Sequence, residues 1–149
     1  MKFVVYIKIN WMKYKGVEIE RLIPQRNPFV MVDEFEATAE NVAQTTLYVR
    51  TDNLFMLPDG TLAETGLIEH IAQSAAALAA FQSAGDGQPH IGLIGEVKHF
   101  ECHCRPTSGS VVHTVIEFGF SFGNATLVQG HSRIGDEEIA SANLKIFMQ

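Results

Sequence analysis

Glu69 and Gln73 lie four residues apart in a stretch that is otherwise nearly all small and apolar. Four residues is about one helical turn, so on a helix the two side chains share a face, and Ala76 and Ala80 follow on it. A polar pair above a smooth alanine stripe suits a linear acyl chain whose reactive end lies beside the carboxylate. Desolvation at the lip of an apolar tunnel would favour the protonated carboxyl, making Glu69 a candidate acid. The structural alternative is a carboxylate near a helix start that favours the dipole, yet a buried apolar helix should otherwise avoid a charge. His70 is adjacent in sequence but about 100° around the helix, so it reaches the same atom only with difficulty and is a weak replacement base. His90, His99, His103, His113 and His131 read as half-exposed residues of strands or strand ends. Cys102 and Cys104 share one face of a strand while His99 and His103 take the other, so four ligands do not converge and no metal is expected. A disulfide across one intervening residue would be badly strained, and two reduced thiols fit a cytoplasmic protein.

These residues need elements to hold them. Val17 to Ile23 reads as a helical turn or two stopped by Pro24. Phe29 to Ala37 and Val42 to Val49 read as strands joined at Glu40-Asn41, and Pro58-Asp59-Gly60 is a turn. Thr61 and Glu64 have capping-box spacing ahead of the one long helix, Leu62 to Gln82, which ends at Gly85-Asp86-Gly87. The spacing turns Ile68, Ile71, Ala72, Ala75 and Ala79 toward a sheet. Four strand-like runs follow, Ile91 to Cys104, Ser110 to Ser121, Ala125 to Ile134 and Glu138 to Phe147, expected as a meander. One antiparallel sheet wrapped around one central helix, an α+β hot-dog arrangement, explains why so apolar a helix meets no other helix.

The 149 residues fit one domain, and 46% hydrophobic content supplies its core. A net charge of −6 lacks the clustered cations a phosphate-tracking nucleic-acid binder needs. No stretch approaches the roughly 18 apolar residues of a membrane span. Met1 to Trp11 is apolar but carries Lys2 and Lys8 and makes a poor signal peptide. Because Met12 would serve equally well as a start, residues 1–11 are either an extra strand or an added extension.

The segment LIPQRNPFVMVDEF, Leu22 to Phe35, resembles the lead-in of hot-dog 3-hydroxyacyl-(acyl carrier protein) dehydratases, and LIEHIAQSAA resembles their Glu-Ala-Met-Ala-Gln helix, with its Glu on Glu69 and its Gln on Gln73. GEVKHFECHCRPTSGS resembles the strand before their Pro-x-x-Gly turn, so the likeness spans roughly residues 17–149. The sequence departs from them where a His-Phe-Pro-Gly loop should stand. That place holds NLFMLPDGTLAETG, with Phe55 near the histidine's position and no histidine between Met1 and Glu69. This stretch is similar to a divergent branch associated with aryl-polyene or flexirubin-type pigments.

The resemblance implies an acyl-thioester-handling protein, dehydratase-like, of fatty-acid or polyene biosynthesis, with an incomplete His-Glu dyad and no cofactor. Such a dehydration takes a base at the alpha carbon, an acid at the departing hydroxyl and donors on the thioester oxygen. By resemblance an amide near Gly92 or Gly95 supplies the last, although a β-bulge glycine is the plain alternative. Gln73, Phe55, Ala76 and Ala80 would line the substrate site. Arg21, Arg26 and Lys98 are candidates to dock an acidic carrier protein or the phosphate of its pantetheine arm, or of coenzyme A. Family sites lie between protomers, so a homodimer or higher homo-oligomer is expected. Two other readings stay open: a subunit without chemistry of its own, which holds the acyl chain or pairs with an active hot-dog chain that supplies the missing histidine, and an acyl thioesterase.

Overall fold

The computed structural model describes residues 13–83 and 92–148. The expectations for residues 1–11, His90 and the Gly85-Asp86-Gly87 stop lie outside them. Strands β1 (Lys13–Lys15), β2 (Glu34–Ala39) and β3 (Val42–Tyr48) precede helix α1 (Glu64–Ser83). Strands β4 (Gly92–Cys102), β5 (Val111–Phe122), β6 (Ala125–Ile134) and β7 (Glu137–Met148) follow it. All seven strands form one antiparallel sheet in the order β1-β2-β3-β5-β6-β7-β4.

The helix lies across the inner face and touches β2 through β7. Its sheet-facing side buries Leu67, Ile71, Ala75 and Leu78 against Phe35, Ile116, Leu144 and other residues of two core clusters. Close approach depends on Gly130 of β6, where a Cβ would come within 2.6 Å of Ile71. Of the five residues expected to face the sheet, Ile71, Ala72, Ala75 and Ala79 are buried, whereas Ile68 is half-buried and Leu67 takes the inward place.

Three expectations are corrected by the tertiary context. First, β4 is not part of a meander with β5. It pairs with β7 at the sheet edge, with Val97 opposite Leu144, because β3 already occupies the free side of β5, with Thr45 opposite Thr114. Alternation marks a strand but carries no choice of neighbour. Second, the strand expected from Phe29 begins only at Glu34, because side chains of the helix claim the backbone groups of Phe29 and Met31. Third, the capping box does not form. The Thr61 hydroxyl donates to Asp59 Oδ1 at 2.6 Å and accepts from Arg105 Nε at 3.1 Å. Thr61 bridges to Thr107 and Leu62 to Met56, so the chain is extended there and α1 starts at Glu64.

Candidate functional site

Glu69 projects from the second turn of α1 and is half-buried. Its Oε1 accepts a 2.9 Å hydrogen bond from Gln73 Nε2. Gln73 is itself 2% exposed; it donates also to the Phe29 carbonyl at 2.9 Å and accepts the Met31 N–H at 2.7 Å. Both N–H groups and the oxygen of that amide are therefore engaged. Gln73, expected to bind substrate, spends its hydrogen bonds inside the chain, tying the lead-in segment to the Glu69 carboxylate. Ala76 and Ala80 continue the stripe and are half-buried. Among the described residues, two clefts lie elsewhere. One runs between the lead-in segment and the loop after β3, past Val30, Arg50 and Asn53. Another crosses the outer face of the sheet, past Lys98, Phe120 and Leu127. Glu69 lines neither, so this chain alone does not close those clefts around the carboxylate.

His70, about 100° around the helix, points into the core and is fully buried. Its Nδ1 is 2.7 Å from the Met31 carbonyl and its Nε2 is 2.8 Å from Thr114 Oγ1. A carbonyl only accepts, so Nδ1 carries the proton and the neutral ring accepts at Nε2 from the Thr114 hydroxyl. Thr114 in turn lies 2.7 Å from the Ser132 hydroxyl, which donates to it. Burial pushes the imidazole down to about 4, against smaller upward pulls from the Met31 carbonyl and the Asp33 charge. The ring is thus uncharged at neutral pH. One turn on, Ser74 donates to the His70 carbonyl at 2.7 Å and accepts from Thr45 at 2.8 Å. As a replacement base within its own chain His70 has no free nitrogen: Met31 and Thr114 take both.

Phe55, in the place of the missing histidine, is half-buried against the cluster of Met31, Leu62 and Leu67. Its carbonyl accepts the Ala63 N–H at 2.8 Å, at the foot of the helix. Gly66 makes room for it, since a Cβ there would come within 2.7 Å of Phe55 Cβ. Arg105 holds the far side of this loop, donating to Asp59 at 2.9 Å as well as to Thr61. The Thr61 hydroxyl, more than the guanidinium, holds the exposed Asp59 carboxyl below its usual range.

Residues 17–149 match the ApeP-like family, described as ApeP dehydratase. The chain belongs to the ApeP-like family. No curated protein matches this ApeP-like chain in sequence. Its structure is similar to the dehydratase heterocomplex ApeI:P from Xenorhabdus doucetiae, at 17% identity and a TM-score of 0.80, covering 88% of this chain and 90% of that one. It is also similar to the virulence protein Cj0977 from Campylobacter jejuni, at 12% identity and a TM-score of 0.67, covering 91% and 94%. A third likeness is to a hypothetical thioesterase with coenzyme A from Streptococcus pneumoniae, at 10% identity and a TM-score of 0.63, covering 77% and 84%. At these identities the structures show the fold, which is the hot-dog fold. Fold and family match together make this a dehydratase-like hot-dog protein of the acyl-thioester-handling kind.

The remaining candidate residues of the ApeP-like chain fall in scattered places. Gly92 pairs with Met148. Gly95 sits in a β-bulge between Ile94 and Glu96, where a Cβ would overlap the Phe147 ring at 2.0 Å. Packing alone therefore accounts for glycine at 95. Arg26 spends its guanidinium on the carbonyls of Glu20, Ile23 and Gln25 and on the Glu20 carboxylate. Lys98 pairs with Glu96 at 3.7 Å, and Arg21 is exposed. The arginines follow β1 while Lys98 is on β4, the opposite edge of the sheet. Cys102 and Cys104 are free thiols. Among the described residues no group of three or more metal-ligating side chains forms, and no helix is long and apolar enough to cross a membrane. Sequence reasoning missed the clamp on Phe29 and Met31 and the buried hydroxyls of Thr45, Thr114 and Ser132. The one available signal was a second polar pair at helical spacing, His70 and Ser74.

Proposed function

We propose that this chain is the acid-bearing subunit of a cytoplasmic 3-hydroxyacyl-carrier-protein dehydratase, a lyase of fatty-acid or aryl-polyene-type biosynthesis. Its site is completed by a second hot-dog chain that brings the histidine. The carrying observation is the contrast between two neighbouring residues of α1. Glu69 is half-buried with one oxygen anchored by Gln73, while His70 is locked neutral in the core and Phe55 fills the loop position. In the reaction the partner's base takes the alpha proton, Glu69 gives its proton to the beta hydroxyl, and water leaves as the carbon–carbon double bond forms. One carboxylate cannot be ionised for the first transfer and protonated for the second at the same instant. An amide of Gly92 or Gly95 is the donor proposed for the thioester oxygen, Ala76 and Ala80 the floor for the acyl chain, and Arg21 and Lys98 the cations that meet the carrier.

Strand β4 supports the two-chain reading. Among the described residues it is a sheet edge, and Leu93, Ile94 and Val97 on it are exposed to 45%, 39% and 37%. An open apolar edge invites strand pairing with another chain. A second copy takes that edge when no partner is present, giving a homodimer or a higher assembly of dimers.

The test compares the purified protein alone with the protein mixed with a histidine-bearing hot-dog chain co-purified from the native cell. Each is incubated with a 3-hydroxyacyl carrier protein and water loss is followed by mass spectrometry. The mixture is expected to turn over about 10²–10⁴-fold faster, the usual cost of a missing general base. Equal, rapid turnover by the homo-oligomer, or release of the free acid instead of water, overturns the proposal.

A further inference from the structure

Gln73 has a role that the family likeness does not assign. We propose that it is the positioning residue of this site, fixing the acid proton of Glu69 on Oε2 and tying the carboxyl to the lead-in segment. This rests on the reading of Glu69 as the acid.

The hydrogen bonds leave the amide one orientation. Its oxygen accepts the Met31 N–H at 2.7 Å, and its nitrogen serves the Phe29 carbonyl and Glu69 Oε1, each at 2.9 Å. A flipped amide would set N–H against the Met31 N–H and oxygen against the Phe29 carbonyl. Two such mismatches in a residue 2% exposed would each leave a buried polar group unsatisfied. Side-chain amides are often ambiguous, but here the two backbone partners decide the assignment. Glu69 Oε1 therefore always faces a donor and accepts from it. A proton on Oε1 would confront that N–H, so when the carboxyl is protonated its proton resides on Oε2. Among the described residues, none holds Oε2.

The backbone partners also make the orientation rigid. Met31 is held from a second side, since His70 donates to its carbonyl at 2.7 Å. Two side chains three residues apart on one helix thus grip both polar groups of Met31. The segment cannot shift without breaking bonds to His70 and Gln73 together, and Gln73 cannot rotate without releasing Phe29 and Met31. Preorganisation of this kind places the proton before substrate arrives and spares the reaction that reorganisation.

The first experiment reads the contact without turnover. In ¹⁵N-labelled protein, the Gln73 side-chain amide resonances are assigned by their loss in Gln73→Met. They are then followed as pH is lowered, together with the Glu69 carboxyl carbon. One of the two amide protons is expected to shift in step with the Glu69 carboxyl, and this linked shift is expected to vanish in Glu69→Gln. A resonance indifferent to Glu69 protonation overturns the inference whatever the activity. The second experiment uses Gln73→Met in the partner-containing complex. Its kcat is expected to fall about tenfold to a hundredfold, the worth of a hydrogen bond to a charged group. KM should stay within about threefold and the pH profile of kcat should move. A variant that loses only thermal stability, with kcat per folded molecule and pH profile intact, reduces Gln73 to a structural clamp and overturns the positioning role. If the linked shift is present but the complex releases no water, the dehydratase reading fails and the Gln73–Glu69 coupling stands.

Discussion

The Glu69–Gln73 pair and the His70–Ser74 pair repeat the same helical spacing one residue apart, and the structure treats them in opposite ways. His70 is fully buried, both its nitrogens are bonded, and the Thr45, Ser74, Thr114 and Ser132 hydroxyls around it are bonded to one another or to the ring or backbone. Desolvation then keeps the ring neutral. Glu69 sits about a hundred degrees away, half-buried, with Oε1 fixed by Gln73. Residue type alone would favour the histidine as the chemical group. Burial and partner count favour the carboxylate instead. A fully satisfied polar group in a core specifies the fold, whereas one held on one side and open on the other can exchange a proton with a ligand.

The hardest test of this contrast is Glu69→Gln in the partner-containing complex. Turnover should drop by at least about a hundredfold, with the melting temperature unchanged within about 2 °C. Unaltered turnover would remove Glu69 from the mechanism. The reverse pattern is expected for His70→Leu, which strands the Met31 carbonyl and the Thr114 hydroxyl. Urea unfolding should show a loss of about 2–4 kcal/mol, while turnover per folded molecule changes by no more than a few-fold.

A pH series sharpens the same point. The folded His70 titrates near 4 and an unfolded one near 6.5. The unfolded chain therefore binds the extra proton across that window. The contribution is whole above about pH 6.5 and is lost as pH falls toward 4. Between about pH 7.5 and pH 5, roughly 2 kcal/mol of unfolding free energy should disappear, and His70→Leu should flatten this part of the curve. The smallest effect is expected for Ser132→Ala, which removes the outer hydroxyl of the chain through Thr114. It should cost about 1 kcal/mol by urea denaturation, and a neutral result would show that Thr114 finds another partner.

Much of the candidate site is legible in the linear chain because its parts are local. Glu69, Gln73, Ala76 and Ala80 fall on one stripe by helical geometry alone, and alternation with Gly-containing turns located β3, β5, β6 and β7. Even the absence of a histidine before Glu69 is a property of the sequence. The lead-in segment reads as strand from Phe29 in the sequence because nothing near it reveals that Gln73 and His70, about forty residues on, bind its backbone. The capping box at Thr61 failed for the same reason, since Asp59 and the distant Arg105 claim the hydroxyl.

What the sequence determined by itself, then, is the set of elements, the one apolar helix and the polar residues it carries. These follow from periodicity and propensity, which act over a turn or a strand. The tertiary structure decided that β4 lies beyond β7 at an edge of the described sheet, that His70 serves the core, and that Gln73 holds Glu69. Each of those outcomes depends on which distant group arrives to share a hydrogen bond or exclude water. Only the packed chain fixes both burial and partners.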